Sequence, residues 1–303
     1  MNSRRSFIKE MAKVAALSAV PFSYLHGMQG ADFLKHKNKK IRIGIIGAEN
    51  SHTIGFGKLF NIDQKFPGVE VTHVWGETEE FAKNAMEKGH IPTMVKDAKE
   101  MLSKIDALIV DHRHGKFHLE AAIPFIKAGI PTFIDKPFCY RLEEGKEFLA
   151  LASRLGTPVT SYSSIAHSYE TFDLMNQVKK MGSINQVVRY GPLDMESKYG
   201  GVFFYGAHLI QPLLYIFGDD VKKVKIIKND KNSSASLVFG NGMLASLIFT
   251  TKQYGWKTFV ETDDGIQELK STTDNQGPPK NYVDMVHMFQ TGEEPRTHKS
   301  ILK

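Results

Sequence analysis

Ile41-Arg42-Ile43-Gly44-Ile45-Ile46-Gly47-Ala48-Glu49-Asn50-Ser51-His52 is a short apolar run that stops at glycine and opens into polar residues able to start a helix. The isoleucines predict a strand buried on both faces. A strand, a glycine turn and a helix N-terminus together form the place where dinucleotide folds hold phosphate groups. The usual loop reads Gly-x-Gly-x-x-Gly, and here only Gly47 of the three glycines is retained. Glu49 stands at the second glycine position, where its carboxylate must turn away if a pyrophosphate is to approach. Asn50 is able to take a left-handed turn nearly as glycine does, and Ser51 and His52 offer hydrogen-bond donors to phosphate. The acidic residue expected at the end of the second strand is displaced, because Gly76 holds that place and Glu77 follows it. The choice between NAD and NADP stays open on this pattern.

Working outward, residues 69–75, 107–111, 131–135 and 159–161 repeat the short apolar pattern of a strand. Residues 79–88, 117–128 and 142–155 space their apolar side chains three and four apart. Strands alternating with such helices predict a parallel sheet covered on both faces. After about residue 163 the pattern changes. A helix over 169–181, a strand over 186–190 and a glycine-bracketed helix within 200–218 precede five short strands. Asn241-Gly242 and Asp264-Gly265 mark hairpin turns among them. The expected organisation is an export signal and basic linker over 1–40, a Rossmann-like α/β domain over 41–162, and an α+β domain with an open, mainly antiparallel sheet over 163–303.

The chain has 303 residues, with 39 Lys+Arg against 33 Asp+Glu for a formal charge of +6. Residues 1–40 hold eight basic and two acidic side chains, which accounts for the whole surplus. The body is therefore neutral and carries no basic footprint for a phosphate backbone, which argues against a nucleic-acid partner. Cys139 is the only cysteine, so neither an intrachain disulfide nor a multi-cysteine metal site can form. The apolar run over 11–25 is broken by Lys13 and Pro21 and is too short for a permanent membrane span. Ser3-Arg4-Arg5-Ser6-Phe7-Ile8-Lys9 resembles the twin-arginine export motif, which implies a periplasmic or otherwise exported protein; a basic tail on a cytoplasmic protein is the alternative.

Asp135-Lys136-Pro137 closes the strand over 131–135, and Gly200-Gly201 precedes Gly206-Ala207-His208. With His118-Leu119-Glu120-Ala121-Ala122 and Ala128-Gly129-Ile130-Pro131, this order resembles the Gfo/Idh/MocA oxidoreductases. The resemblance implies a nicotinamide-binding Rossmann domain and a second domain whose open sheet mediates homo-oligomerisation. It also implies hydride transfer at a secondary alcohol or ketone of a sugar or cyclitol. Lys136 would then lie between nicotinamide and substrate, His118 in the cofactor-side loop, and His208 against the reacting hydroxyl as its base. Asp111, His112, Arg113 and Asp135 would border the cofactor, and Ser163, Ser164 and His167 the substrate cleft.

Departures from that pattern matter for mechanism. Phe204 replaces the aspartate that usually precedes the histidine by one helical turn, leaving Tyr205 as a substitute for it and Phe204 as a surface for a sugar face. A sugar-binding protein that kept the fold and lost the reaction is a rival reading. Glycoside chemistry without net redox, using a tightly held NAD, is another. His112, His114 and His118, with His52, also suggest a metal site, although their spacing matches no compact helix-borne ligand pair. Only residues 296–303 follow Glu294-Pro295, where related chains commonly continue into a helix that packs back on the first domain. That docking surface is expected to need no helix, to be covered by another subunit, or to stay exposed.

Overall fold

The structure is a computed structural model that describes residues 40–252 and 255–303. The twin-arginine-like stretch and nearly all of the basic linker lie outside the described residues. Strands β1 (Ile41–Ile46), β2 (Val69–Trp75), β3 (Thr93–Met94), β4 (Ala107–Val110), β5 (Thr132–Ile134) and β6 (Val159–Thr160) form one sheet in the order β3-β2-β1-β4-β5-β6. All its pairings are parallel. Helices α1 (Ser51–Gly57), α2 (Glu79–Gly89), α3 (His118–Lys127) and α4 (Leu142–Leu155) connect the strands. Ile43, Ile45, Val71, Leu108 and Ile109 are fully buried, as a sheet covered on both faces requires. The chain leaves β1 toward β2 on one side and returns at β4 on the other. The crevice for ligands therefore opens beyond the carboxyl ends of β1 and β4.

The second sheet is built from β7 (Ile184–Pro192), β8 (Val221–Asn229), β9 (Asn232–Phe239), β10 (Leu244–Thr250), β11 (Lys257–Thr262) and β12 (Gly265–Leu269). Its order is β12-β11-β7-β10-β9-β8. Every pairing is antiparallel except β7 with β10, because α6 intervenes between β7 and the hairpins. Helix α5 (Tyr169–Val178) lies before β7 and α6 (Val202–Phe217) after it. Leu209, Leu213 and Ile216 of α6 pack with Val187, Leu237, Leu247 and Val260 of the sheet. Among the described residues the other face has no such cover: Tyr190, Ile227 and Leu244 are 37%, 53% and 46% exposed.

Residues 280–302 pack back on the first half of the fold. Helix α7 (Lys280–Thr291) offers the Asn281 carbonyl to the Tyr162 hydroxyl. Past α7, Glu294 Oε1 accepts from the Val159 N–H at 2.8 Å and Arg296 Nη1 donates to the Ser161 carbonyl at 2.7 Å. These side chains satisfy backbone groups along the exposed edge of β6, where another strand would otherwise pair. Ile301, in α8 (His298–Ile301), enters the core of the first half beside Phe148 and Leu149. Both sheets consequently belong to one compact unit.

Candidate active site

Gly47 is the position in the loop after β1 that demands glycine. Its φ is +115°, and a Cβ there would lie 2.6 Å from the Asp111 and His112 backbone. Asn50 is not left-handed: its φ is −78°, and its side chain caps α1 by accepting from the His52 N–H. The loop therefore turns at Gly47 and needs no second αL residue. Thr53, which carried no sequence signal, ties the turn together by donating to the Gly47 carbonyl at 2.9 Å or to Asp111 Oδ2 at 2.7 Å.

Glu77 takes the place of the missing acidic residue from one position further on. Its Oε2 accepts from the Ala48 and Glu49 N–H groups at 2.8 and 2.9 Å, while Oε1 is buried without a partner among the described residues. Gly76 makes this approach possible, because a Cβ there would come within 3.0 Å of the Ala48 Cβ and 2.9 Å of the Ala82 nitrogen. The Glu49 carboxylate turns away from the loop and accepts from the Tyr199 hydroxyl. The orphaned Oε1 fits a ribose hydroxyl, and the diverted Glu49 leaves the helix N-terminus open to phosphate. Ser51 is exposed at that N-terminus.

Asp111 and Asp135 meet beneath the loop. The Asn50 amide donates to Asp111 at 2.7 Å and reaches Asp135 at 3.4 Å, and His52 Nδ1 lies 2.8 Å from Asp135 Oδ2. Burial first, then the Asp135 charge, drives the Asp111 pKa well up. Burial also pushes Asp135 upward, but His52 and then Lys136 outweigh it and bring that carboxyl below its ordinary value. The two carboxyls are thus pushed apart, Asp111 upward and Asp135 downward, so Asp111 is the more readily protonated of the pair.

Lys136 is 5% exposed, with Nζ 5.1 Å from the Phe204 ring and 5.7 Å from the Tyr205 ring. The Tyr205 and His208 ring centroids are 5.5 Å apart, so Lys136 and His208 converge around Tyr205 from opposite halves of the fold. His208 Nδ1 contacts Ser163 Oγ at 2.6 Å. Burial, then Lys136, lowers the His208 pKa to about 3. Arg113 lies 4.4 Å from the Tyr199 ring and 5.2 Å from the Phe204 ring, so both Arg113 and Lys136 are within cation–π range of Phe204, which stays partly exposed.

Three expected site residues are occupied elsewhere. His118 is fully buried, with its ring nitrogens 2.8 and 2.7 Å from the Pro137 and His112 carbonyls, which leaves no edge for a cofactor. His167 stacks on Tyr162 at 4.2 Å and bonds Tyr215 and Asp284, joining α7 to the fold rather than lining a cleft. His112 is buried among Trp75, Phe117 and His118, with Nδ1 unpartnered and burial lowering its pKa to about 3. Ser164 does line a cavity, with His52, Asp135, Tyr162, Asn281 and Tyr282.

The histidines do not gather into a metal site, because His114 caps its own turn by accepting from the Lys116 N–H. Among the described residues, His52, Asp111 and Asp135 are instead the group whose ligand atoms lie within 4.8 Å of one another. A cavity of about 480 Å³ opens at the opposite edge of the first sheet, beside Phe66, Gly68, Val69 and His90, and is lined by none of the expected site residues.

Residues 41–163 match the family described as "Oxidoreductase family, NAD-binding Rossmann fold". The chain is 27% identical over 217 residues to the uncharacterized oxidoreductase YhhX of Escherichia coli strain K12. That match covers 63% of this chain and 62% of the relative. Among solved structures, the WlbA dehydrogenase of Bordetella pertussis, in complex with NADH and UDP-GlcNAcA, superposes with a TM-score of 0.70 at 18% identity, covering 88% of this chain and 92% of that one. The apo scyllo-inositol dehydrogenase of Lactobacillus casei gives 0.68 at 15% identity, covering 87% and 92%. The Rossmann-like sheet followed by a mainly antiparallel sheet is the architecture shared with these proteins.

Proposed function

We propose that the chain is an NAD-dependent oxidoreductase acting at a secondary alcohol or ketone of a sugar or cyclitol. The observation that carries this reading is the convergence of Lys136 and His208 around Tyr205 at the carboxyl edge of the parallel sheet. The Rossmann family match over 41–163 supports it. Nicotinamide supplies the hydride chemistry when bound, and the residues of this chain hold and orient it. Glu77 Oε1 takes the adenosine ribose, and the Gly47 turn with the α1 N-terminus takes the phosphates. Asn50, Asp111 and Asp135 border the reacting end. The Glu77 carboxylate also repels a 2′-phosphate and so selects NAD over NADP.

Phe204 presents an apolar face to the substrate ring, and Ser164 adds a polar contact. Turnover of a panel of sugars and cyclitols, followed through nicotinamide absorbance, tests the reading against a non-catalytic binder. The enzyme reading expects at least one substrate whose turnover falls 10²-fold or more in Lys136→Ala. A parent protein that binds such ligands and turns over none contradicts it.

The Tyr199–Glu49 contact favours a second form of the same activity, in which the cofactor stays enclosed and is recycled within one turnover, as glycoside chemistry without net redox requires. Cofactor that survives purification and gel filtration identifies that form. The uncovered face of the second sheet is proposed to pair with a second copy of the chain, and the leader to direct export. Leu244→Glu is expected to halve the mass measured by light scattering, and cell fractionation checks the location.

A further inference from the structure

The Ser163 hydroxyl and the His208 ring meet at 2.6 Å from Oγ to Nδ1. Ser163 is fully buried and His208 nearly so. Two further contacts fix Ser163. Its own N–H donates to Gln211 Oε1 at 2.7 Å, from the same helix as His208. Its Oγ accepts from the Ile165 N–H at 3.2 Å and the Ala166 N–H at 3.4 Å. A hydroxyl has one proton and two lone pairs. With both lone pairs facing backbone donors, the proton is what remains for His208. Nδ1 then accepts, and a neutral imidazole whose Nδ1 accepts carries its hydrogen on Nε2.

We propose that Ser163 is a positioning residue that locks His208 as the Nε2–H tautomer, so that His208 meets the substrate oxygen as a hydrogen-bond donor while Lys136 exchanges that oxygen's proton. This rests on the oxidoreductase reading above. The proton balance is one for one. In the reductive direction an Nζ–H bond of Lys136 breaks as the substrate O–H bond forms, and in oxidation the reverse occurs. His208 keeps its Nε2 hydrogen in both directions.

The groups around His208 agree with that role. Lys136 and Asp135 face it from the turn after β5, His52 from α1, and Arg189 from β7, with Tyr205 and Trp256 edge-on to the ring. Arg189 is 4% exposed, has no partner at Nε, and approaches the His208 carbonyl at 3.5 Å. Burial and this cationic surrounding keep the imidazole neutral, against the opposing charge of Asp135. A neutral N–H donor, fixed in advance and shielded from water, stabilises an oxygen that gains negative charge in the transition state.

Long-range proton–nitrogen correlation spectra of the full chain labelled with ¹⁵N-histidine read the tautomer directly at pH 7. The His208 signals are identified by their loss in His208→Gln. The expected pattern is hydrogen on Nε2. Ser163→Ala should convert it to a mixture of tautomers and lower kcat about tenfold or more with little change in KM, and Ser163→Thr should restore both. Hydrogen on Nδ1 in the parent protein, or an unchanged tautomer in Ser163→Ala, overturns the proposal. The parent spectrum requires no turnover and does not depend on the folding of the Ser163 variants. A chain with the Nε2–H pattern that turns over no substrate therefore sinks the oxidoreductase reading and leaves the tautomer assignment standing.

Discussion

The Tyr199 hydroxyl donates to Glu49 Oε1 at 2.5 Å, joining residues 150 positions apart in the chain. Glu49 breaks the glycine pattern of the nucleotide loop, and the contact holds its carboxylate away from the loop's N–H groups. The same tyrosine ring lies under Arg113, so the turn before α6 is latched at two points over the first half.

Removing the latch should loosen the cofactor. Tyr199→Phe deletes one hydrogen bond to a charged, partly exposed acceptor, a loss of about 1.5 kcal/mol. Stopped-flow displacement of bound NADH should show dissociation about tenfold faster in the variant, and an unchanged rate places Tyr199 outside the cofactor's exit path.

Glu77 holds the loop through the Ala48 and Glu49 N–H groups, and the proposed function also assigns it the adenosine ribose. Glu77→Ala is expected to weaken NADH binding about 10- to 100-fold through loss of two charge-assisted contacts, while NADPH binding changes less. Equilibrium titration with both cofactors measures the preference, and a preference that survives the substitution removes Glu77 from the account.

The C-terminal strap should stabilise the whole unit. Arg296→Ala leaves the Ser161 carbonyl without its partner, at a cost of about 2 kcal/mol. Thermal unfolding should shift down by roughly 5 °C. Glu294→Gln, which keeps an acceptor for the Val159 N–H, should shift it less.

Buried neutral histidines make stability depend on pH. His112 and His208 titrate near pH 3 in the folded protein, both because burial disfavours their charged forms. In the unfolded chain they titrate at about 6.5. The unfolded state therefore binds more protons between these values. Stability is complete above pH 6.5 and is lost toward pH 3, at about 1.4 kcal/mol per pH unit for each histidine. Asp111 opposes this trend above its ordinary pKa, because its protonated form is favoured in the folded state. Burial also lowers the pKa values of His118 and His167, so urea unfolding from pH 7 to 4 should show the combined loss, and His208→Gln should make the slope shallower without abolishing it.

Five strands of the parallel sheet were legible because each is a short apolar run beside helices with clear periodicity, and two of the three hairpins because Asn241-Gly242 and Asp264-Gly265 announce them. Lys136 and His208 were singled out by the resemblance of the segments around them to the oxidoreductase family, and the fold brings both within reach of Tyr205. Three features were not legible. Strand β3 spans two residues, too few for any pattern. Helix α7 follows a polar, proline-containing stretch, and its burial depends on Tyr162, 119 positions away. The roles of His118 and His167 depend on which carbonyls and carboxylates surround them after folding, and residue type alone does not encode that. Glu77 was recognised as displaced, but only the fold shows that Gly76 lets it reach the loop.

Fluorescence titration of the full chain with NADH and NADPH, on protein first shown free of resident nucleotide, tests the central claim most directly. Saturable NADH binding, tighter than NADPH and weakened by Glu77→Ala, is the predicted result. Absence of binding by either cofactor at saturating concentration contradicts the account.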